Sequence, residues 1–472
     1  MAFLLENAYN GSALVRDAAN HPTLRFFTSK KDSSKVPLLE QPQVEQAWTV
    51  SSAAAATDDH FATNGSCPTG GTPPPCKTSW RCPHCTPETD TDDETDGGGR
   101  LGAAAREQAT DQQVHTLDDN WLYMSAVCFI FGREIQAHTG KPLGLVNTNW
   151  GGTPVEFWMS EEAEAECAPE RAPSAVGGAY NGMVKPLLNM TITGAIWYQG
   201  ESNQGDPYTG VDALNGLPMP SYGCRFPAMI ADWRRKWAVG SLGTTSADFP
   251  FGFVNLAPWT NANNAPAGIR WAQTAGYGHV PNPKMPNTFQ AIAFDLTDYH
   301  GPYGSVHIRD KTTVGERLAA AGIATAYGET SQYWQGPTVV SAMVSGGEIT
   351  VTFNNTGASG LEVTHAQSKI NSSTWETCTP SRSQSKSLQQ PSVDPCALLA
   401  SKDGNGTGWK PATVSGSTAS TVTVASADTL SATAGAGVLV RYGWAAVPFD
   451  YKKAGLYAKA EGLPAGPFVV AA

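Results

Sequence analysis

The sequence predicts an α/β protein whose parallel core sheet is covered by helices on both faces, followed by an all-β domain. Short apolar runs alternate with helix-like runs through the first two thirds of the chain, which is typical of such a core. After about residue 331 the pattern changes to segments rich in Val and Thr that alternate with polar residues between Gly and Asn turns. A chain of 472 residues is long enough for both parts.

Residues 1–50 form the first part of the predicted core, and residues 51–113 interrupt it. A helix is predicted over residues 10–19, ended by Pro22, and a strand within residues 24–31. Between Glu88 and Asp96 there are six acidic residues and no apolar one, and three glycines follow. Such a segment has nothing to bury, so we expect a disordered acidic insertion of low complexity.

The core resumes over residues 114–330. The predicted helices cover residues 123–138, 226–237, 269–275 and 312–327, and the predicted strands cover residues 143–146, 195–197, 251–256 and 289–294. Residues 331–445 form the β-rich domain, which we expect to be a sandwich. The Pro- and Tyr-rich segment 446–472 is expected to pack back onto the body of the protein.

Composition excludes some partners and indicates a compartment. The net charge of −11 argues against a nucleic-acid partner, and no apolar run is long enough for a membrane-spanning helix. Nine cysteines and six N-x-[S/T] acceptors, at Asn10, Asn64, Asn189, Asn354, Asn371 and Asn405, indicate the secretory pathway, extracellular or lysosomal. The first residues do not read as a signal peptide, so we expect the true amino terminus to lie upstream of Met1.

The cysteines favour disulfides over a metal site. The candidate pairs are Cys167 with Cys224 and Cys378 with Cys396. Cys128 lies within an apolar helical run and is expected to be a buried thiol. Cys82 and Cys85, with Cys67 and Cys76 nearby, invite a zinc interpretation, but their irregular spacing in a low-complexity segment favours local disulfides. We therefore expect no metal ion.

Polar loops follow two of the predicted strands, where ligands bind in open α/β sheets. The strand 195–197 runs into Gln199, Gly200, Glu201 and Asn203. Gln199 and Asn203 offer side-chain donors to an oxyanion, and Glu201 is either a general base or a buried carboxylate that holds loops together. Gly151 and Gly152 follow the strand 143–146, and they form either an oxyanion hole built of backbone N–H groups or a tight turn.

His307 lies on a loop immediately before the helix 312–327 and is the candidate general base, although a loop histidine is often structural. Asp295 and Asp298 are candidates to orient it, and Asp298 is preferred because it lies further into the loop. The position three residues before the histidine, where many hydrolases of this kind have Asp, is Gly304. No serine lies in a G-x-S-x-G pattern. The residue patterns therefore predict a general base and an oxyanion hole, but they indicate no nucleophile.

Five long motifs in one order resemble the sialate O-acetylesterases of the serine-dependent SGNH hydrolase superfamily. They are WGGTPVEFW (150–158), GAIWYQGESN (194–203), FPAMIADWR (226–234), VPNPKMPNTF (280–289) and PYGSVHIRDKTTVGERLA (302–319). The resemblance implies a flavodoxin-like three-layer core, no cofactor, and removal of acetyl groups from sialic acid hydroxyls, chiefly at position 9, by a serine with a histidine base. It puts His307 on the family histidine, Gly152 on the second oxyanion block and residues 199–203 on the third.

This sequence departs from the family pattern at two places. Ile308 stands where the family usually has Pro. The family nucleophile lies in a G-Q-S-N-M block, and Met1 falls on the methionine of that block, so we expect the serine upstream of Met1 in a longer protein. Two alternatives stay open, a non-catalytic carbohydrate-binding pseudoenzyme and an acetylxylan-type polysaccharide esterase. The oligomeric state also stays open.

Overall fold

A computed structural model describes residues 7–41, 43–51, 124–168, 176–211, 217–260, 265–330, 333–364, 374–379, 408–426 and 437–472. The predicted insertion beyond Ser51, the four cysteines of the zinc interpretation and the glycosylation acceptors Asn64, Asn371 and Asn405 lie outside these ranges.

The described helices and strands follow the alternation expected from the sequence. The helices are α1 Gly11–Ala18, α2 Ala126–Thr139, α3 Glu161–Ala165, α4 Tyr222–Gly240, α5 Ala265–Ala272 and α6 Lys311–Tyr327. The strands are β1 Leu24–Ser29, β2 Val44–Val50, β3 Leu143–Asn147, β4 Ala195–Trp197, β5 Tyr208–Val211, β6 Pro218–Pro220, β7 Phe251–Asn255, β8 Thr288–Ile292, β9 Thr338–Ser345, β10 Glu348–Asn354, β11 Leu361–Val363, β12 Trp375–Cys378, β13 Lys410–Ser417, β14 Thr421–Ser426, β15 Leu439–Tyr442, β16 Leu456–Ala458, β17 Leu463–Pro464 and β18 Phe468–Ala471. Short 3₁₀ segments at Val155–Trp158 and Glu201–Asn203 follow β3 and β4.

The core sheet consists of two three-stranded parts. In the first, β1 pairs in parallel with β3, with Leu24 opposite Leu143, and it pairs antiparallel with the edge strand β2. In the second, β4, β7 and β8 are all parallel, with Ile196 opposite Gly252 and Gly252 opposite Phe289. The α/β class is confirmed. The single parallel sheet expected from the sequence is instead divided, with β3 and β4 as the two inner edges of the part that the structure describes.

Helices cover both faces of this sheet and make the three layers. Phe251 and Phe253 of β7 pack against Phe226 of α4, with ring centroids 6.1 and 5.3 Å apart. Neighbouring positions on a strand point to opposite faces, so Phe289, which is in register with Gly252, lies on the other face. There it stacks at 6.3 Å on Phe131 of α2, which packs beside α6. The three-layer prediction is confirmed.

Capping residues mark the beginning and the end of the two helices that pack on the same face of the sheet. Ser125 caps α2, and Gly140 ends it in the left-handed conformation at φ 64°. Asp310 caps α6 by accepting the backbone N–H of Thr313 at 3.0 Å, and Gly328 ends that helix at φ 71°. Because α6 begins directly after the loop with His307, this cap also fixes the position of the loop.

The C-terminal part is all-β, as expected from its sequence. A seven-stranded sheet has the order β18-β15-β12-β13-β14-β10-β9, its pairings are antiparallel, and β11, β16 and β17 form a smaller sheet. The segment 446–472 supplies β16, β17 and β18, so it completes the β domain as well as touching the core. Arg270 joins the two parts, because its buried guanidinium donates to the carbonyls of Leu256, Ala257, Ala445 and Ala446.

The candidate pair Cys167 and Cys224 forms a disulfide, with the Cα atoms 5.8 Å apart. Cys378 is also disulfide-bonded, and its candidate partner Cys396 lies outside the described residues. Cys128 is a free thiol on α2, and burial raises its pKa to about 12. Within the described ranges no helix is long and apolar enough to cross a membrane, and no group of His, Cys, Asp or Glu is arranged to hold a metal ion.

Candidate active site

Three loops at the carboxyl ends of parallel strands carry the residues singled out in the sequence. Gly152 follows β3, residues 199–203 follow β4, and His307 lies on the long connection from β8 to α6. Strand ends of a parallel sheet meet along one edge, so the topology brings these loops to the same side of the core.

Asn203 ties the first loop to the second. Its Oδ1 accepts the backbone N–H of Val155 at 2.8 Å, and its Nδ2 donates to Glu156 Oε2 at 2.9 Å. The side chain is 1 % exposed, so these bonds form away from water. Gly152 adopts φ 75°, which favours glycine, and a Cβ there would meet nothing within 4 Å. The open space beside this backbone leaves room for a substrate to approach.

Both the nitrogen and the oxygen of the Gln199 side-chain amide make hydrogen bonds. Its Nε2 donates to the backbone carbonyl of Thr153 at 3.2 Å and to Asn203 Oδ1 at 2.8 Å, while its Oε1 accepts the hydroxyl of Tyr222 at 3.1 Å. The side-chain N–H groups of Gln199 and Asn203 are thus directed into loop contacts, and both residues position the loops in this structure. Gly200 follows at φ 139°, where a side chain would press on Leu256.

The imidazole of His307 is oriented by a backbone carbonyl. Nδ1 makes a short hydrogen bond to the carbonyl oxygen of Tyr303. A carbonyl oxygen only accepts, so Nδ1 carries the hydrogen and the lone pair of the neutral ring lies on Nε2. Burial lowers the pKa of His307 and outweighs the Tyr303 carbonyl and the Glu201 charge, which both raise it. The ring is therefore neutral at neutral pH, the form that accepts a proton.

Glu201 and Lys311 supply opposite charges beside His307. Glu201 raises the pKa of His307 and Lys311 lowers it. Lys311 is completely buried, its Nζ lies 5.0 Å from the ring centre of Tyr198, and burial lowers its pKa to about 7 against the opposing effect of Glu201. Glu201 Oε1 is buried and has no hydrogen-bond partner among the described residues.

Asp298 and Asp295, the two candidates to orient His307, form ion pairs with arginines in this structure. Asp298 accepts the guanidinium of Arg309 through both oxygens, at 2.8 Å each, and the backbone N–H of the same residue at 3.2 Å. Asp295 accepts Arg317 at 2.7 and 2.9 Å and the hydroxyl of Tyr457 at 3.0 Å. Asp298 is thus bound to Arg309, two residues beyond His307 on the same loop.

Comparisons with known proteins match this architecture. A family model described as carbohydrate esterase, sialic acid-specific acetylesterase, matches residues 104–323, and one described as sialate O-acetylesterase C-terminal domain matches residues 338–472. Sialate O-acetylesterases from Homo sapiens and Mus musculus are each 35 % identical over 362 and 391 residues, which is 74 % of this chain. The chain belongs to the sialate O-acetylesterase family.

The matched region is a part of these sialate O-acetylesterases. The alignment spans 61 % of the human protein and 64 % of the mouse protein, so the chain covers less than two thirds of either relative. A crystal structure of a carbohydrate acetylesterase from Xanthomonas citri superposes with a TM-score of 0.62 over 100 % of this chain and 78 % of the other, at 23 % identity. That likeness supports the fold of a family core followed by a β domain.

Several residues of this family member that shape the site were not singled out in the sequence. Arg225 on α4 is buried, and its guanidinium lies 2.7 Å from Glu164, 3.6 Å from Asp206 and 3.9 Å from Glu156. This cluster supports Asn203, which also bonds Glu156. By sequence alone, Lys311 could form a solvated, helix-capping cluster with Arg309 and Asp310. Its complete burial corrects that interpretation, and no local pattern indicates it, because Arg309 and Lys311 look alike in the sequence.

Proposed function

We propose that this chain is the larger part of a sialate O-acetylesterase, which hydrolyses O-acetyl esters of sialic acids by a serine and histidine mechanism. Family membership supports the reaction class. The observation that carries the mechanism is the hydrogen bond from His307 Nδ1 to the Tyr303 carbonyl, because it leaves the lone pair on Nε2. We place the serine outside these 472 residues.

In the proposed reaction, Nε2 of His307 takes the hydroxyl proton as the serine oxygen bonds to the acetyl carbonyl carbon. The resulting tetrahedral intermediate carries its negative charge on the former carbonyl oxygen. Collapse breaks the bond to the sugar oxygen, which receives the proton from His307 and leaves as a hydroxyl. Water, deprotonated by His307, then attacks the acetyl-serine and releases acetate and the free serine.

We assign the oxyanion to the backbone at Gly152, with Gln199, Gly200 and Asn203 holding that backbone in place. The open space beside Gly152 and the hydrogen bond that the Val155 N–H donates to Asn203 Oδ1 support this assignment. Glu201 stabilises the protonated His307 that forms during each proton transfer, since its charge raises the pKa of His307. Asp298 positions the histidine loop by fixing Arg309.

The test compares two longer forms of the protein. Each carries an upstream segment ending in G-Q-S-N directly before Met1, and in the control the serine of that segment is alanine. We expect acetate release from 9-O-acetyl sialic acid only from the serine form, and its loss in the serine form with His307→Ala. Equal release from the serine and alanine forms contradicts the proposed nucleophile. Binding of the acetylated sugar without any turnover indicates a pseudoenzyme, and preference for acetylated xylan indicates a polysaccharide esterase.

We also propose that the protein matures in the secretory pathway, extracellular or lysosomal. The disulfide between Cys167 and Cys224 supports this, since such bonds persist in oxidising compartments. The acceptors Asn10, Asn189 and Asn354 are all exposed. Treating protein from a secreting cell with an N-glycanase tests the proposal, and an unchanged mass contradicts glycosylation.

A further inference from the structure

Arg225 on α4 lies in a buried group of charges behind the candidate site. Its side chain is 3 % exposed, and its guanidinium donates to both carboxylate oxygens of Glu164, at 2.9 and 2.7 Å. Its Nη1 atom lies 3.6 Å from a carboxylate oxygen of Asp206 and 3.9 Å from one of Glu156. These four residues form the Arg225 cluster, in which three carboxylates surround one guanidinium.

Two carboxylates of the Arg225 cluster face the side-chain amide of Asn203. Its Nδ2 donates to Glu156 Oε2 at 2.9 Å and lies 3.4 Å from Asp206 Oδ2. Ser221 links Asp206 to Arg225, because its hydroxyl oxygen accepts Nη1 at 3.1 Å and its hydroxyl donates to Asp206 Oδ2 at 2.9 Å. Arg225 therefore holds both acceptors of the Asn203 nitrogen.

The Arg225 cluster determines which way the Asn203 amide points. The nitrogen of an amide donates and its oxygen accepts, so a half turn of the amide exchanges the two roles. In the turned orientation, Oδ1 would face the carboxylates of Glu156 and Asp206, and Nδ2 would face the N–H of Val155. Both contacts would be repulsive. In the observed orientation Oδ1 accepts the Val155 N–H at 2.8 Å, which ties down the loop after β3.

A disulfide anchors the Arg225 cluster on the side away from Asn203. Cys224 directly precedes Arg225 and is bonded to Cys167, whose N–H donates to the Glu164 carbonyl at 3.0 Å. The disulfide and the ion pair of Arg225 with Glu164 therefore join the same two segments, α4 and the end of α3. The α3 helix has only five residues, and so short a helix has little stability of its own. The cross-links to α4 thus set the position of Glu164.

We propose that Arg225 is a positioning residue for ester hydrolysis. Through Glu156 and Asp206 it fixes the Asn203 amide, and this amide holds the backbone of residues 152–155. The effect on catalysis rests on the proposed function, which assigns the oxyanion to this backbone. Displaced N–H groups lose bonds that are made only to the tetrahedral intermediate, so kcat falls while KM is unchanged. The positioning itself requires no turnover.

The first measurement is hydrogen exchange at the Val155 amide of the 472-residue chain, relative to the Val254 amide in the middle of β7. A general loss of stability speeds exchange at both amides, so their ratio reports on the loop. We expect Arg225→Met to speed exchange at Val155 by about tenfold or more relative to Val254. Arg225→Lys keeps the charge but loses the two-atom bond to Glu164, so we expect a smaller change in the same direction.

The control is Arg235→Met, which changes a half-exposed arginine on the same helix and should leave the exchange ratio as in the parent protein. A folded Arg225→Met or Arg225→Lys protein with the parent ratio overturns the proposal. Arg225→Met that speeds exchange at Val155 and Val254 equally also overturns it, because Arg225 would then act on global stability alone.

A double variant tests the route through Asn203. Once Asn203 is Ala, Arg225→Met should change the exchange ratio by less than about twofold, because the contact through which Arg225 acts is already lost. Independent, additive effects of the two substitutions overturn this route.

The serine form provides the readout of catalysis. We expect Arg225→Met to lower kcat by about 100-fold with KM within about twofold of the parent value. A raised KM with unchanged kcat overturns the positioning of the oxyanion backbone. If exchange at Val155 changes as expected but the parent serine form releases no acetate, the proposed function fails and the positioning of the loop stands.

The disulfide is tested by removing it. The double variant Cys167→Ser with Cys224→Ser breaks this bond, and Cys378→Ser breaks a disulfide of the β domain. We expect exchange at Val155 to become faster relative to Val254 only in the first variant. Equal ratios in the two variants overturn the anchoring of the Arg225 cluster by the disulfide.

Discussion

Asn203 Oδ1 and the backbone N–H of Val155 are 2.8 Å apart in a buried contact, and this bond joins the loops that follow β3 and β4. Replacing Asn203 with Ala leaves that N–H without its acceptor and removes one hydrogen bond from the Glu156 carboxylate. A buried polar group left unpaired costs about 1–3 kcal/mol. We expect Asn203→Ala to lower the free energy of unfolding by that amount, measured by chemical denaturation. Ser202→Ala on the same turn is exposed and is the control; equal losses in both variants would contradict the role of Asn203.

The charges beside His307 predict opposite shifts in its titration. Lys311 lowers the pKa of His307, so Lys311→Met should raise it, and Glu201 raises that pKa, so Glu201→Gln should lower it further. Titration of the His307 ring by NMR checks both variants below pH 7, where Lys311 is charged. Shifts of the same sign in the two variants would show that they act through a change of structure instead of charge.

The pair Asp298 and Arg309 predicts acid sensitivity. Burial raises the pKa of Asp298, but the bonds from Arg309 outweigh it and hold the pKa below 3.8. The unfolded state then binds more protons, so this stabilisation is full above the unfolded pKa and is lost as pH falls through the folded value. We expect Asp298→Asn to flatten the pH dependence of the unfolding temperature below about pH 4. If the unfolding temperature of Asp298→Asn depends on pH below about pH 4 as steeply as that of the parent protein, the prediction is contradicted.

The lowered pKa of His307 also makes the stability of the protein rise with pH, in this case near neutral pH. Its unfolded value is 6.5, so the unfolded state binds more protons between the folded value and 6.5, and stability rises with pH across that window. We expect His307→Gln to reduce this rise. Calorimetric unfolding temperatures between pH 5 and 7 measure it, with the exposed His138 changed to Gln as the control.

Arg270 predicts coupling between the core and the β domain. Its guanidinium is fully buried on backbone carbonyls of both parts, and burial lowers its pKa to about 9. Arg270→Met leaves these carbonyls without a donor and should cost about 3 kcal/mol or more. Denaturation monitored by tryptophan fluorescence checks this, with the exposed Arg16→Met as the control. A loss in Arg270→Met no larger than in the control would contradict the coupling.

Local sequence patterns predict the order and type of the main elements. The α2 helix was expected over residues 123–138 and is Ala126–Thr139, and α6 was expected over 312–327 and is Lys311–Tyr327. Apolar periodicity and capping residues are local, so they are readable along the chain. The motifs that carry the family resemblance are equally local, and the family comparisons confirmed that resemblance.

The partners of the polar side chains follow from long-range packing, which local sequence patterns do not predict. Asp298 and His307 lie on one loop, yet the carboxylate bonds Arg309 and the imidazole bonds a backbone carbonyl. Arg309 and Lys311 are two residues apart, yet the first is partly exposed in an ion pair and the second is buried near Tyr198. The division of the core sheet at β3 and β4 is likewise a long-range property. These partners, the burial of Lys311 and the division of the sheet depend on packing between segments that are distant in sequence. Local patterns of residues carry no information about that packing.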